Sequence, residues 1–207
     1  MERIVSILII LALTAGNSLS AQSKSWERTL RKHRKKTERS FKNPETSPLR
    51  DLASEFTGNE YFPANPDFRV TARVELTPDS EPFELITSDP DRKKWYVRYA
   101  ILHFEIEQTP CSLEIYRNVA LQGIPKYEDH LFLPFTDLTS GEVTYGGGRY
   151  IDMEVTEGDT MEIDFNYAYN PYCAYRSDGW SCPIPPDANR LSVAIEAGVK
   201  DYHGGDH

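Results

Sequence analysis

The segment FRVTARVEL, from Phe68 to Leu76, is the clearest sign of fold class in this chain, because its polarity alternates with a period of two. Five apolar residues fall on one face, and four polar or charged residues fall on the other. This alternation is typical of a half-buried β-strand. It also marks the place where a helical pattern in the chain gives way to strands.

Comparable runs follow through the rest of the chain. They are Pro82 to Thr87, Trp95 to Glu107, Cys111 to Arg117, Leu131 to Phe135, Tyr150 to Val155, Met161 to Tyr167 and Leu191 to Gly198. The segments between them carry turn residues, as in TPDSEP, SDPDRK and EGD. Short strands without intervening helices predict a mainly β domain, an antiparallel β-barrel or sandwich, with one or two N-terminal helices.

The segment before the strands is basic and predicts a helix, because it lacks Gly and Pro. Lys24 to Lys42 carry nine Lys or Arg and two acids, whereas residues 43–207 carry thirteen and 29. This arm either contacts an anionic membrane surface or lies along the acidic face of its own domain. Nucleic acid is not an expected partner of an exported protein. A second short helix is predicted in TSPLRDLASEF, with Ser47 as its N-cap.

The first twenty residues predict a signal peptide, because the apolar run IVSILIILALTA is followed by small residues. We expect cleavage after Ser20 and a periplasmic or extracellular protein; an uncleaved anchor is the alternative. The predicted organisation is a signal peptide at 1–20, a basic helical arm at 21–46, a β domain at 47–200 and a flexible tail at 201–207.

The last third of the chain contains three unusual sequences. They are TSGEVTYGGGRY (Thr139 to Tyr150), DFNYAYNPYCAY (Asp164 to Tyr175) and CPIPPDANRL (Cys182 to Leu191). Their order resembles that of DUF1684, a bacterial and archaeal family of unknown function. The resemblance extends from Ser47 to Lys200 and implies a predominantly β domain. It implies no activity, since none is established for the family.

Two of the three cysteines are placed to form a disulfide. Cys173 and Cys182 flank an eight-residue loop, and an oxidising compartment would let them pair. A metal site joining them to a histidine is the weaker alternative, because no CxxC or closely spaced histidine accompanies them. Cys111 alternates with Leu113 and Ile115, which predicts a buried free thiol. No metal or cofactor is expected.

Polar residues of the three sequences form the candidate ligand-binding site. They are Tyr145, Arg149, Asp164, Asn166, Tyr169, Asn170 and Asn189. Alternation along MEIDFNY sends Asp164 and Asn166 to one face, where Arg149 on a neighbouring strand can meet Asp164. Such a network either orients a ligand or pins loops to the sheet through charge-assisted hydrogen bonds.

The sequence favours a small-molecule-binding module that holds a polar or amphipathic ligand in the mouth of a barrel. The GxSxG, HExxH, P-loop and EF-hand patterns are absent. One alternative is an envelope structural or interaction protein that uses the basic arm. Another is a hydrolase-like enzyme, for which Asp164, His130 and the tyrosines are the candidates. Whether the protein is an enzyme stays open, as does its oligomeric state.

Overall fold

A computed structural model describes residues 23–176 and 178–204. The predicted signal peptide and its cleavage after Ser20 lie outside the described residues, as do residues 205–207 of the predicted tail. No helix within the described ranges is long and apolar enough to cross a membrane. These residues fall into two compact units, one ending at Ser40 and the other beginning at Phe41.

Residues 23–42 form an α-helix, as predicted. The segment is rich in helix-forming residues, and Arg31 and Glu27 form an i,i+4 ion pair with 3.4 Å between Nη1 and Oε2. Of the nine basic residues from Lys24 to Lys42, only Arg34 is half-buried, and the others are exposed. The helix therefore presents a strongly positive surface.

In the part of the chain that the structure describes, seven strands form one antiparallel sheet that curls into a half-barrel, which confirms the predicted fold class. The strands are β1 (Arg69–Leu76), β2 (Phe83–Leu85), β3 (Lys94–Ile106), β4 (Thr109–Asn118), β5 (His130–Phe135), β6 (Arg149–Glu154) and β7 (Thr160–Asp164). Their order across the sheet is β6-β5-β4-β3-β1-β7, and β2 pairs with β3. β6 and β7 thus lie at opposite ends of this order.

Short 3-10 helices lie before β1, between β4 and β5, and after β7. They are Arg50–Glu55, Pro66–Phe68, Val119–Leu121, Pro125–Tyr127, Phe165–Tyr167, Tyr172–Ala174 and Asp187–Asn189. The first of them replaces the second helix predicted near Ser47, and Leu49 is its N-cap. Ser47 is therefore not the N-cap, because the helix begins at Arg50, although the Ser47 hydroxyl does accept a hydrogen bond from the Leu49 amide (3.2 Å).

The two faces of the sheet bury different side chains. The first face carries the main apolar core, with residues such as Leu102, Leu113 and Ile163 fully buried. The second face carries an aromatic cluster, described below. A β-bulge between Arg98 and Ala100 shifts the register of β3 against β4, so β3 supplies side chains to both clusters.

Two strand predictions near the C-terminus were wrong. β7 stops at Asp164, whose Oδ1 accepts a hydrogen bond from the Asn166 amide (3.0 Å) and caps the 3-10 helix Phe165–Tyr167. Leu191 to Gly198 form no strand, although Leu191, Ile195 and Ala197 are buried. Their alternation is real, but their backbone bonds to a loop and to side chains instead of to a strand.

The predicted disulfide is present, with 2.08 Å between the sulfurs of Cys173 and Cys182. Backbone hydrogen bonds hold the end of its loop against the chain after β2, since the Ser88 amide donates to the Cys182 carbonyl (2.9 Å). Cys111 is free, as predicted, but it is half-buried rather than buried. Burial raises the pKa of the Cys111 thiol.

Candidate functional site

Arg149, at the start of β6, forms a buried ion pair with Asp137. Its Nη2 donates to Asp137 Oδ2 over 2.8 Å, and neither side chain is exposed to solvent. The guanidinium also lies over the ring of Phe135, 5.2 Å from its centroid. Burial lowers the pKa of Arg149, and the Asp137 carboxylate opposes that shift.

The ion pair holds the C-terminal segment that was expected to be a strand. Arg149 Nη2 donates to the carbonyl of Ile195 (2.9 Å), and Nη1 donates to those of Ala197 and Val199. The other carboxylate oxygen of Asp137 accepts from the Ile195 amide (3.1 Å). Arg149 and Asp137 together replace the backbone ladder that a strand would have supplied.

The expected contact between Arg149 and Asp164 was wrong. Asp164 pairs with Arg69, with 3.2 Å between Oδ2 and Nε. The alternation along β7 gave the correct face for Asp164 but could not show that β6 and β7 lie at opposite ends of the strand order.

The three candidate amides each tie one loop to another element. Asn166 bonds to both backbone groups of Asn65, accepting from its amide (2.9 Å) and donating to its carbonyl (2.8 Å). Asn170 donates to the Lys200 carbonyl (2.8 Å). Asn189 accepts from the Glu114 amide and donates to the Glu114 and Pro134 carbonyls. Each amide thus bonds to at least one backbone group, whereas the buried Oδ1 of Asn170 has no hydrogen-bond partner among the described residues.

The two candidate tyrosines lie in different clusters. Tyr145 packs against the cluster that includes Phe41, Phe56 and Tyr202. Tyr169 pairs with Tyr150 in an isolated β-bridge, and their rings meet edge to face at 5.8 Å. Burial raises the pKa of Tyr169 well above its usual value, and the nearby Asp152 adds to the shift. The seven predicted residues are therefore distributed over several places, and their role in ligand binding stays a prediction.

The glycine turn before β6 is shaped by packing. Gly148 has a φ of +86°, and a Cβ placed there would lie 2.6 Å from Pro185 Cγ. In the preceding turn, the Thr139 hydroxyl bonds to Asp137 Oδ1 (2.6 Å) and to the Thr144 hydroxyl (2.9 Å). The unusual sequence from Thr139 to Tyr150 is thus accounted for by a compact loop built around Asp137.

The second face of the sheet carries a cluster of aromatic side chains. Its buried members are Leu85, Tyr96, Tyr116, Phe132 and Tyr150, and Phe83 and Tyr169 pack against it. Burial raises the pKa of Tyr96 to about 12. Polar groups border the rings: Asn118 donates to the Tyr96 hydroxyl (3.3 Å), and the Tyr116 hydroxyl donates to Glu114 (2.9 Å).

A cavity of about 350 Å³ lies beside this cluster, where β4 ends and β5 begins. Its lining residues are Arg117, Asn118, Leu121, Gln122, Gly123, Tyr127, Glu128 and His130. The strand ends and the 3-10 helices Val119–Leu121 and Pro125–Tyr127 bring them together. Tyr127 carries the one side-chain hydroxyl among these eight residues, none of which is a Ser, Thr or Cys.

His130, which lines this cavity, contacts an acidic side chain and an aromatic ring. Its Nε2 lies 3.1 Å from Asp152 Oδ1, and its ring meets Tyr127 edge to face at 6.1 Å. The hydrogen bond with Asp152 raises the pKa of His130, burial opposes the shift, and the charges of Asp152 and Glu154 add to it. The Asp152 carboxylate therefore stabilises the protonated form of the imidazole.

Sequence reasoning missed several residues that define these sites. Asp137 was overlooked, although FTDLTSG places it two residues before the Thr139 turn. Arg117 was treated as the end of an ordinary strand, and Asn118 was given no role. The period of two does put His130 and Asp152 on the face that carries Phe132 and Tyr150, so alternation could have indicated that pair. Across the described ranges, no group of three His, Cys, Asp or Glu could hold a metal ion.

These features define a class of protein: an antiparallel half-barrel with a disulfide-closed loop and a polar cavity at the ends of two strands. The chain belongs to DUF1684, described as a protein family of unknown function, which matches residues 54–200.

A solved structure extends the family likeness to the fold. The solution NMR structure of an uncharacterised protein from Haloarcula marismortui is 34% identical to this chain, with a TM-score of 0.66. The match covers 86% of this chain and 96% of that one. No curated protein is similar enough to this chain to suggest an activity.

Proposed function

We propose that this protein is an exported small-molecule-binding module whose ligand occupies the cavity between the ends of β4 and β5. The observation that carries the proposal is the cavity itself, about 350 Å³ in volume. Ligand sites of proteins usually measure roughly 300 to 1,000 Å³ and combine apolar walls with a few polar groups. Here Leu121 and Tyr127 supply apolar surface, while Asn118, Gln122 and His130 supply polar groups.

Arg149 has a structural role in this proposal and does not contact the ligand. Its guanidinium is fully buried and donates to one carboxylate and three carbonyls of the protein. A ligand would have to displace those internal acceptors to reach it. We therefore assign Arg149 and Asp137 to the stability of the domain and the cavity to binding.

A cavity-filling variant tests the proposal. Leu121→Trp would occupy the cavity, and Leu76→Trp is the matched control, because Leu76 is an exposed residue of β1 that does not line the cavity. We would screen small polar and amphipathic molecules by thermal shift and measure the affinity of any ligand found. Wild type and Leu76→Trp should bind equally, and Leu121→Trp should lose binding. Equal affinity in a folded Leu121→Trp variant would contradict the proposal.

Export is part of the proposal. The Cys173–Cys182 disulfide supports it, because disulfides persist mainly in oxidising compartments. Full-length protein produced in a secreting host should be found outside the cytoplasm and should begin at Ala21, as read by N-terminal sequencing. Recovery of the protein in the cytoplasm with Met1 retained would argue against export.

A second candidate function is peripheral contact with an anionic membrane surface through Lys24 to Lys42. The exposure of eight basic side chains on the helix 23–42 favours it. Each Lys or Arg near an anionic surface contributes about 1 kcal/mol, and salt screens the attraction. The protein should therefore sediment with phosphatidylglycerol vesicles at low salt and not with phosphatidylcholine vesicles. Unchanged sedimentation after Lys32, Lys35 and Lys36 are changed to Glu would refute this function.

A further inference from the structure

The Cys173–Cys182 disulfide has a hydrogen-bond donor directed at each of its sulfurs. Ser88 Oγ lies 3.2 Å from Cys173 Sγ, and the hydroxyl is the donor because a disulfide sulfur carries no proton. The same hydroxyl accepts from the Cys182 amide (3.0 Å), which leaves its own proton for the sulfur. Cys182 Sγ accepts from the Cys173 amide (3.2 Å). Such donors stabilise a thiolate more than a neutral sulfur, so they favour the reduced form of the pair.

The disulfide loop, residues 173–182, contacts the segment 48–51. The Trp180 indole donates to the Pro48 carbonyl (3.0 Å), and the Arg50 guanidinium donates to the Gly179 carbonyl (3.0 Å). The same guanidinium lies over the Trp180 ring, 4.5 Å from its centroid. The indole and the guanidinium thus connect the loop to the segment in both directions.

Arg176 adds two contacts between the loop and this segment. It donates to the Leu49 carbonyl (3.2 Å) and pairs with Asp51, with 2.6 Å between Nη1 and Oδ1. Arg50, between them, has a φ of +54°, a backbone conformation that residues with side chains rarely adopt. The disulfide loop therefore holds the segment 48–51 in a conformation that a free chain would populate little.

We propose that the Cys173–Cys182 disulfide is a redox switch, in which reduction by a dithiol loosens the segment 48–51 while the sheet stays folded. A thiolate of the dithiol attacks one protein sulfur and breaks the disulfide bond, and the displaced thiolate takes up a proton. The second thiol of the dithiol loses its proton, closes a disulfide with the first and releases the other cysteine, which is then protonated. The dithiol is oxidised by two electrons, and the cysteine pair is reduced by the same two.

Reduction weakens these contacts because the disulfide restricts the loop that carries Arg176 and Trp180. A cross-link lowers the conformational freedom of its loop, so contacts made from inside the loop form at a smaller entropic cost. The linkage is reciprocal, and contacts that are favoured by the closed disulfide also favour its closure. Cys173 and Cys182 are 7% and 9% exposed, so a dithiol reaches them by local opening of the loop, where Asp178 is exposed.

Reduction of the folded protein is the first test. The protein is incubated with dithiothreitol without denaturant and quenched with acid, and free thiols are then trapped with N-ethylmaleimide in denaturant and counted by mass. Cys111 is the free cysteine of the oxidised protein, so the count should rise from one to three. A count that stays at one at every dithiothreitol concentration would overturn the proposal.

Amide hydrogen exchange tests whether reduction loosens the segment. The amides of Arg50 and Leu52 donate to backbone carbonyls of the same turn, and after reduction they should exchange at least about fivefold faster, as expected for loss of about one net hydrogen bond. Amides of β1 and β3 should exchange as in the oxidised protein. Cys173→Ser combined with Cys182→Ser should give the reduced pattern without reductant. Unchanged exchange at Arg50 and Leu52, or faster exchange throughout the sheet, would overturn the switch.

Trp180→Ala tests the same link from the other side. It removes the Pro48 hydrogen bond and the ring beneath Arg50, so it should raise the equilibrium constant for reduction by dithiothreitol about fivefold. Trp95→Ala is the matched control, because Trp95 is an exposed residue of β3 outside the loop, and it should leave that constant unchanged. Arg50→Ala removes the same stacking contact and gives the same comparison if Trp180→Ala does not fold. Equal constants in the variants and in the control would overturn the coupling between the disulfide and the segment.

Discussion

Replacing Arg149 with Met should strongly destabilise the domain. The change leaves the Asp137 carboxylate buried without its cation, and it removes the donors to the carbonyls of Ile195, Ala197 and Val199. Removing one partner of a buried ion pair typically costs about 3 to 5 kcal/mol. The three carbonyl groups left buried without a hydrogen-bond donor add to that cost. We therefore expect a loss of about 4 kcal/mol or more in the free energy of unfolding.

That loss is large compared with the roughly 5 to 15 kcal/mol that stabilises a typical protein. For a domain of this size it corresponds to a fall of about 10 °C or more in Tm. Urea unfolding followed by tryptophan fluorescence measures it directly, since Trp95 and Trp180 both lie in the unit that begins at Phe41.

Two companion variants make the result interpretable. Arg69→Met removes a partly exposed arginine and should cost only about 1 kcal/mol. Asp137→Leu combined with Arg149→Met removes both buried charges and should recover part of the lost stability. The reasoning would be refuted if Arg149→Met lost less than about 1 kcal/mol, or if the double variant were less stable than Arg149→Met alone.

The remaining predictions concern the loop, the turn and the histidine. Reducing the disulfide should cost about 2 to 3 kcal/mol, measured by urea unfolding with and without dithiothreitol. Gly148→Ala should cost at least about 1 kcal/mol more than Gly123→Ala in the same assay, because both have positive φ but only Gly148 meets Pro185 at 2.6 Å. The His130 pKa is raised by Asp152, so its stabilising contribution should be complete below a pH of about 6.5 and lost as pH rises through the folded pKa. Asp152→Asn should lower the pKa of His130 in an NMR titration and should destabilise the protein more at low pH than at high pH; an unchanged pKa would contradict this.

The strands were predictable where burial alternated along a segment whose backbone pairs with neighbouring strands. From Val70 to Val74, alternating burial and backbone pairing act together, and periodicity was enough. The bulge between Arg98 and Ala100 could not be foreseen, because it changes the register within a single predicted strand. The segment from Leu191 to Gly198 was mispredicted because its backbone partners include side chains from distant parts of the sequence.

The candidate site was harder to predict, because which of its residues meet depends on the order of the strands in the sheet. Sequence showed that Arg149 and Asp164 are polar groups among apolar ones, but it could not show that their strands lie at opposite ends of the sheet. Asp137 satisfies Arg149 instead. The cavity was missed for a related reason: Arg117 and His130 come together only when the connection between β4 and β5 folds back on itself.

Mapping a bound probe onto the chain tests the central claim most directly, which is that the ligand site is the cavity and the Arg149 network is an internal support. The measurement is the set of amide shifts that a molecule found in the thermal-shift screen produces in the 15N-labelled protein. We predict shifts concentrated between Arg117 and His130, with the amides from Ile195 to Val199 unchanged. Shifts centred on Arg149 and on Ile195 to Val199, with none around the cavity, would contradict the claim.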